Sequence, residues 1–338
     1  MIIKENISLK PYNTFGIDAK ARYFIEITSV DQLRQSLQLE DYPPILVLSG
    51  GSNMLLTGDL ERLVLYLNIK GKRILWEDDD RVALKIMTGE NWHELVLWCL
   101  ERNYGGIENL SLIPGNTGTA PIQNIGAYGI EIKDVFESCE AMEVDSQGLV
   151  RFDKQDCQFG YRDSFFKKEG KGKFIITSVV LLLRKRDHIL KTSYGAIEEQ
   201  LRSQKITKPT IKEISEAVIA IRRRKLPDPG ELGNSGSFFK NPVLDQQHFN
   251  EFIEKHPDAP HYSLEDGTVK VPAGWLIEQT GYKGKRVGDA GVHKDQALVL
   301  VNFGNASGSE IRQLAQSIQN DVSLKFGIDL VAEVNIID

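Results

Sequence analysis

Three largely apolar runs stand out along the chain: Ile45–Leu48, Ile175–Leu183, broken only by Thr177 and Ser178, and Ala297–Val301. Runs of this length predict strands covered on both faces. Shorter runs predict further strands at Leu63–Leu67, Arg73–Trp76, Val82–Met87, Ala141–Val144 and Val150–Phe152. Helical spacing alternates with them. Ser29 opens a helix to Leu39, with Leu33 and Leu37 on one face. Asn91, followed by Glu94, opens a second with Trp92, Leu95, Val96, Cys99 and Leu100 inward. Thr210 and Glu213 form a capping box ahead of Ile214, Ala217, Val218 and Ile221. Pro272 starts a shorter helix, and Ser309 is expected to cap one that runs through Ile311, Leu314, Ile318 and Val322 to Gly327. The last run, Leu330–Ile336, alternates. Leu330, Ala332, Val334 and Ile336 share the expected buried face and Glu333 the other. Strands and helices mixed in this order predict an α+β protein. The β-α-β opening lacks Gly-x-Gly-x-x-Gly and Gly-x4-Gly-Lys-Ser/Thr, so neither a Rossmann dehydrogenase nor a P-loop enzyme is indicated.

The stretches that escape both periods carry the chemistry. Ile113–Gly129 holds four glycines and two prolines with no charge until Glu131. Glycine lets the backbone turn with positive φ and brings bare amides close to a ligand. Surface loops are usually charged, so this one reads as buried. The strand Ile45–Leu48 runs into a loop of the same kind, Ser49-Gly50-Gly51-Ser52-Asn53. Together the two loops suit a large ligand held by N–H groups, with a diphosphate as its anion.

Composition narrows the class. The 338 residues are 41% hydrophobic and 26% charged, the balance of a globular chain long enough for two domains. A net charge of −6 offers no global surface for nucleic acid. The start shows no leader peptide, and the apolar runs are too short to span a bilayer. Cys99, Cys139 and Cys157 are scattered and odd in number, which fits a reducing cytoplasm and argues against a disulfide framework. The histidines have no metal-ligand spacing, and no metal is expected. The cationic run Arg222-Arg223-Arg224-Lys225 reads first as compensation of a helix C-terminus. Lys225, where the helix breaks at Leu226-Pro227, is the ligand candidate among them.

Four separated motifs carry a family resemblance: Ser49–Asn53, Ile113–Gly129, Gly160-Tyr161-Arg162-Asp163-Ser164 and Gly236-Ser237-Phe238-Phe239-Lys240-Asn241-Pro242. In this order they resemble the UDP-N-acetylenolpyruvylglucosamine reductases, the MurB flavoenzymes of peptidoglycan synthesis, from about Leu9 to Val334. The resemblance implies an FAD-binding domain of the vanillyl-alcohol oxidase or PCMH type over residues 1–186. A C-terminal α+β substrate domain would cover 187–338, its last strand returning Glu333 to the active site. It implies non-covalent FAD, NADPH as hydride donor, UDP-N-acetylglucosamine enolpyruvate as substrate, and a cytoplasmic monomer. The alternative is an FAD-dependent oxidase of the same fold, but the histidine that often tethers FAD in such enzymes is missing from both loops.

The resemblance also assigns residues. Arg162 would hold the enolate, Ser237 would deliver a proton, and Glu333 would stand beside the enolpyruvyl group. FAD would be lined by Gly50, Gly51, Ser52, Asn53, Ile113, Pro114, Gly115, Thr119, Ala120, Ile122, Asn124, Gly126, Ala127 and Tyr128. Tyr161, Tyr194, Lys225, Asn241, Tyr262 and Gln296 would hold the substrate, the tyrosines Tyr194 and Tyr262 marking a branch of the family with an extra segment. Ser237, set between a glycine and two phenylalanines, is expected in a site that excludes water.

Overall fold

The computed structural model describes residues 1–338 and is α+β, with its strands in several small sheets. The chain divides into two compact units that interleave in sequence. The first comprises Met1–Ile7, Ala21–Gly50 and Glu61–Arg224, and the second Ser8–Lys20, Gly51–Leu60 and Lys225–Asp338. The chain therefore passes from one unit to the other between Gly50 and Gly51, in the middle of a glycine-rich loop.

The first unit holds two sheets. One orders Lys4–Ser8, Lys20–Ile27, Leu60–Leu67 and Ile45–Leu48 side by side, the last two parallel. Ile45–Leu48 is a strand as expected, but it lies at the sheet edge, and Val47 is exposed rather than covered. The other sheet is antiparallel and orders Leu149–Asp153, Phe136–Glu143, Phe174–Arg184, Arg81–Met87 and Lys72–Glu77. Phe174–Arg184 sits at its centre, which explains its long apolar run and the burial of the Thr177 and Ser178 that interrupt it. Against this sheet packs the helix Trp92–Glu101, burying Trp92, Leu95, Val96 and Cys99. Asn91 caps it, its Oδ1 accepting from Glu94 N at 3.0 Å. Ser29 caps the helix Val30–Ser36 in the same way, accepting from Gln32 N at 3.1 Å, and this helix is shorter than its apolar spacing suggests. Two further helices, Gly195–Ser203 and Ile211–Lys225, share a small core of Ile197, Leu201, Ile214, Ala217, Val218 and Ile221.

The second unit has an antiparallel sheet of Gly233–Ser237, Val299–Asn302, Ala290–Val292 and Arg286–Val287. The helix Gly308–Phe326 packs on it through Ile311, Leu314, Ile318 and Val322. Ser307, not Ser309, caps this helix: its Oγ accepts from Glu310 N at 3.2 Å, and Glu310 Oε2 accepts from Ser307 N at 2.7 Å. Ser309 lies inside the first turn and donates to Thr57 O instead. The helix stops at Gly327 with φ 67°, a conformation that glycine adopts without penalty.

The expected last strand is broken. Lys240 N donates to Val331 O, Ala332 bridges Phe239, and Glu333 N donates to Phe238 O at 2.8 Å. Only then does Asn335–Ile337 form a strand, parallel to Met54–Leu56. The segment changes partner part-way, so its alternation does not keep one buried face. Leu330 and Val334 are buried while Ile336 is exposed. Glu333 lies before the strand, not on it.

The cap assignment is testable. Ser307→Ala should lower the unfolding free energy by about 1 kcal/mol in urea at unchanged m-value, and Ser309→Ala should cost clearly less. Equal losses would show that the capping box is not the source of the effect.

Candidate active site

In the first unit the two glycine-rich loops meet. A Cβ built on Gly50 would lie 2.7 Å from Gly115 Cα and 3.0 Å from Asn116 N, so backbone rests on backbone here. The long loop is held from below. Gly115 O accepts from Trp92 N at 3.0 Å, Thr117 N donates to Glu90 O at 2.8 Å, and Gly118 N donates to Thr88 O at 3.0 Å. A side chain on Gly118 would run into Thr88. Thr117 and Asn124 are fully buried, Ala120 and Ile125 nearly so, as the uncharged sequence predicts. Leu112 N donates to His93 Nδ1 at 3.0 Å. Burial holds the His93 pKa below its ordinary value and so favours the neutral imidazole that this acceptor role needs.

The Gly160–Ser164 motif is tied to the same loop by three bonds. Asn124 Nδ2 donates to Gly160 O at 2.9 Å, Ser164 Oγ to Ile122 O at 2.7 Å, and Arg162 Nη2 to Gly126 O at 2.6 Å. Asn109 Nδ2 holds the Tyr128 carbonyl at 2.9 Å. Tyr194, at the start of the helix Gly195–Ser203, meets the Tyr128 ring edge-on at 5.4 Å. Leu112, Asn124, Tyr128 and Arg162 all adopt positive φ, between 43° and 60°. Four non-glycine residues in that region within two bonded segments store strain where a ligand would be held. Tyr161 is exposed, and the Arg162 guanidinium lies 5.4 Å from its ring centroid.

Four groups of this unit point to a ligand. The amides of Gly50, Gly115 and Asn116 donate to no other group of the chain. Ser49 Oγ is buried without a hydrogen-bond partner. Such groups are satisfied by an anion more readily than by anything else a loop can offer.

In the second unit Ser237 and Glu333 are brought together. The stretch Ser237–Lys240 runs between the strand Val299–Asn302 and the segment Val331–Glu333, pairing with Val299 on one side and bonding Glu333 N through Phe238 O on the other. Phe238 and Phe239 are buried, but Ser237 itself is exposed, so the expected exclusion of water at its hydroxyl is not provided by these neighbours. Asn53 joins the same place: its Nδ2 donates to Glu333 O at 3.3 Å, and its carbonyl accepts from Asn335 N and Nδ2. Gly51 has φ 58°, and a Cβ there would stand 1.9 Å from Tyr12 O. Asn241 Oδ1 accepts from Ala273 N at 3.0 Å, at the start of the helix Ala273–Gln279. Gln296 reaches the same helix end, its Oε1 3.6 Å from a Cβ built on Gly274. Tyr262 is exposed on a short hairpin, with the Lys270 ammonium 5.6 Å from its ring centroid, and Lys225 is exposed at the end of its helix.

Comparison with known proteins gives the family. Residues 21–151 match an FAD-binding domain, and residues 228–337 match the C-terminal domain of UDP-N-acetylenolpyruvoylglucosamine reductase. The reductase of Flavobacterium johnsoniae is 55% identical over 337 residues, covering 100% of both chains. The chain belongs to the UDP-N-acetylenolpyruvoylglucosamine reductase family. The Pseudomonas aeruginosa reductase is 48% identical over 99% of this chain and 98% of its own. The crystal structure of the Thermus caldophilus member shares the fold at a TM-score of 0.70 and 23% identity, with both chains covered completely. FAD is the cofactor of the family, and the residues of the first unit fit it: free amides, an orphaned hydroxyl and a glycine contact that leaves no side chain in the way.

Gly50→Ala should leave a folded protein whose FAD affinity falls by about tenfold to a hundredfold, the cost of pushing Gly115 aside. Flavin absorbance per mole of protein after gel filtration measures it. Wild-type occupancy at limiting FAD would show that the two loops need not touch to hold the cofactor.

Proposed function

We propose that the chain reduces UDP-N-acetylglucosamine enolpyruvate to UDP-N-acetylmuramate, working as a cytoplasmic monomer with NADPH as the hydride source. Bound FAD supplies the two-electron chemistry, by which a hydride from NADPH reaches the methylene carbon of the enolpyruvyl group. The observation that carries the reading is the juxtaposition of Ser237 with Glu333, joined through the hydrogen bond from Glu333 N to Phe238 O. It sits within a chain related over its whole length to reductases of this name.

The residues then have distinct tasks. Addition of hydride to the methylene carbon leaves an electron pair on the adjacent carbon and spreads it onto the carboxylate. Arg162 grips that carboxylate with a planar fork that stays charged. Its bond to Gly126 O at 2.6 Å fixes where the fork points. The Ser237 hydroxyl gives its proton to the carbon, completing addition of hydride and proton across the double bond, and regains one from water. An ionised Glu333 would repel the developing charge. Its useful form is the protonated acid, or a carboxylate that orients a neighbouring donor. Tyr161, Tyr194, Lys225, Asn241, Tyr262 and Gln296 hold the uridine diphosphate and the rest of the substrate. The cofactor role belongs to residues 1–186, with Gly51, Ser52 and Asn53 among the lining groups, and most of the substrate role to 187–338, Tyr161 and Arg162 excepted.

Stopped-flow measurements under nitrogen separate the two halves of the reaction. In Ser237→Ala, flavin reduction by NADPH should stay near normal, while reoxidation by the enolpyruvyl substrate slows by about 10²–10⁴-fold. Loss in both halves together would make Ser237 a turn residue. Glu333→Gln should lose less reoxidation rate than Glu333→Ala. A wild-type rate in Glu333→Ala would remove the acid from the site.

A further inference from the structure

Asn109 lies in the short helical turn Glu108–Leu110 and is fully buried. The turn is fixed on several sides. Trp92 Nε1 donates to Leu110 O at 2.9 Å. Ser111 Oγ bonds Glu108 O at 2.6 Å and Ser215 Oγ, on the helix Ile211–Lys225, at 2.7 Å. From this rigid place the Asn109 amide reaches two carbonyls in separate parts of the chain. Nδ2 donates to Tyr128 O at 2.9 Å and to Lys191 O at 2.9 Å. Its own Oδ1 is sealed from solvent with no partner. Turning the amide over would set that oxygen against both carbonyls, so the two acceptors fix its orientation. An unmet buried acceptor is destabilising. What the arrangement achieves in return is a single side chain that joins two segments.

The second of those segments has little else to hold it. Between the strand Phe174–Arg184 and the helix Gly195–Ser203 the chain has no regular structure. From Ile189 to Ser193 its backbone makes one hydrogen bond, the one from Asn109 to Lys191 O. Leu190 packs on the small core of the two helices, as Tyr128 does. Tyr194 follows directly, and its exposed side chain meets the Tyr128 ring edge-on. A stretch without backbone bonds leaves the side chain at its end many positions to sample. The tie to Asn109 removes that freedom and refers the segment to the Tyr128 carbonyl, on the loop assigned to the cofactor.

We propose that Asn109 is a positioning residue for substrate binding: it ties the segment that carries Tyr194 to the Tyr128 loop and so sets where the Tyr194 ring meets the substrate. The inference rests on the substrate role given to Tyr194. Asn109 itself touches no ligand and acts only through the two carbonyls.

A double-mutant cycle on the holoenzyme tests this, read by the change in the flavin spectrum on titration with UDP-N-acetylmuramate. Asn109→Leu, close in size but without the two donors, should keep its FAD and bind UDP-N-acetylmuramate about tenfold more weakly. In a Tyr194→Ala background the same change should weaken binding by less than about twofold, because no ring is left to position. Trypsin gives a second readout. To cut after Lys191 the protease must take hold of the carbonyl that Asn109 holds, so Asn109→Leu should be cleaved there several-fold faster than wild type. If Asn109→Leu does not fold, Asn109→Ser, which keeps one donor, should show smaller shifts of the same sign. Equal weakening in both backgrounds would make Asn109 merely structural and overturn the proposal. So would wild-type affinity, or wild-type cleavage at Lys191, in a variant with full FAD. Unchanged affinity for UDP-N-acetylmuramate in Tyr194→Ala alone would instead overturn the substrate role of Tyr194, and the proposal with it.

Discussion

Everything in the first unit's candidate site depends on one contact, the backbone of Gly50 resting on the backbone of Gly115. At that separation no side chain fits on Gly50, and the loops can approach this closely only because that residue is glycine. The contact gathers three amides with no other partner into one place. It also sets the height of the long loop, which Trp92 and Thr88 hold from the helix and the sheet beneath. The strained backbone at Leu112, Asn124, Tyr128 and Arg162 is then the cost of threading the loop through these fixed points, offset by the bonds that Asn109, Asn124, Ser164 and Arg162 make to it.

Charge is distributed with similar economy. The long loop is neutral, so the cations near it meet no carboxylate within it. Arg162 is spent partly on the Gly126 carbonyl, a bond that orients it without neutralising it. In the second unit the segments bearing Ser237 and Glu333 are held together by main-chain bonds. Asn53 clamps the same segment through both its side chain and its carbonyl. A residue expected to line the cofactor thus holds in place the chain that bears the acid.

Local rules carried the sequence reading a long way. Ser29, Asn91 and the Thr210–Glu213 pair cap helices as their spacing says, since a cap is decided by residues within one turn. The helix after Ser307 shows the limit: two serines compete, and only Ser307 has a glutamate at the third position to answer it. The neutral loops were legible because buried backbone tolerates no stray charge. The broken last strand was not legible. Its alternation is real in the sequence, but Ala332 and Asn335 pair with different segments, and no periodicity records a change of partner. Arg222, whose Nε is sealed from solvent, was hidden for a related reason. In a run of four cations nothing local says which one turns inward, and the sign of it is the tertiary contact of Tyr128 with the core beside Ile221.

The parallel pairing of Asn335–Ile337 with Met54–Leu56 has a consequence for how the molecule is made. Met54–Leu56 is synthesised long before its partner, which follows only after most of this chain. The segments Ser8–Lys20 and Gly51–Leu60 belong to a unit whose bulk follows Lys225, so they wait through most of translation without their neighbours. The first unit, complete by Arg224, is free to form while the nascent chain is still growing. Leu55 and Leu56, fully buried in the finished protein, are then exposed apolar residues on a tethered chain. The second unit is then completed only once Asn335–Ile337 is available to pair with Met54–Leu56.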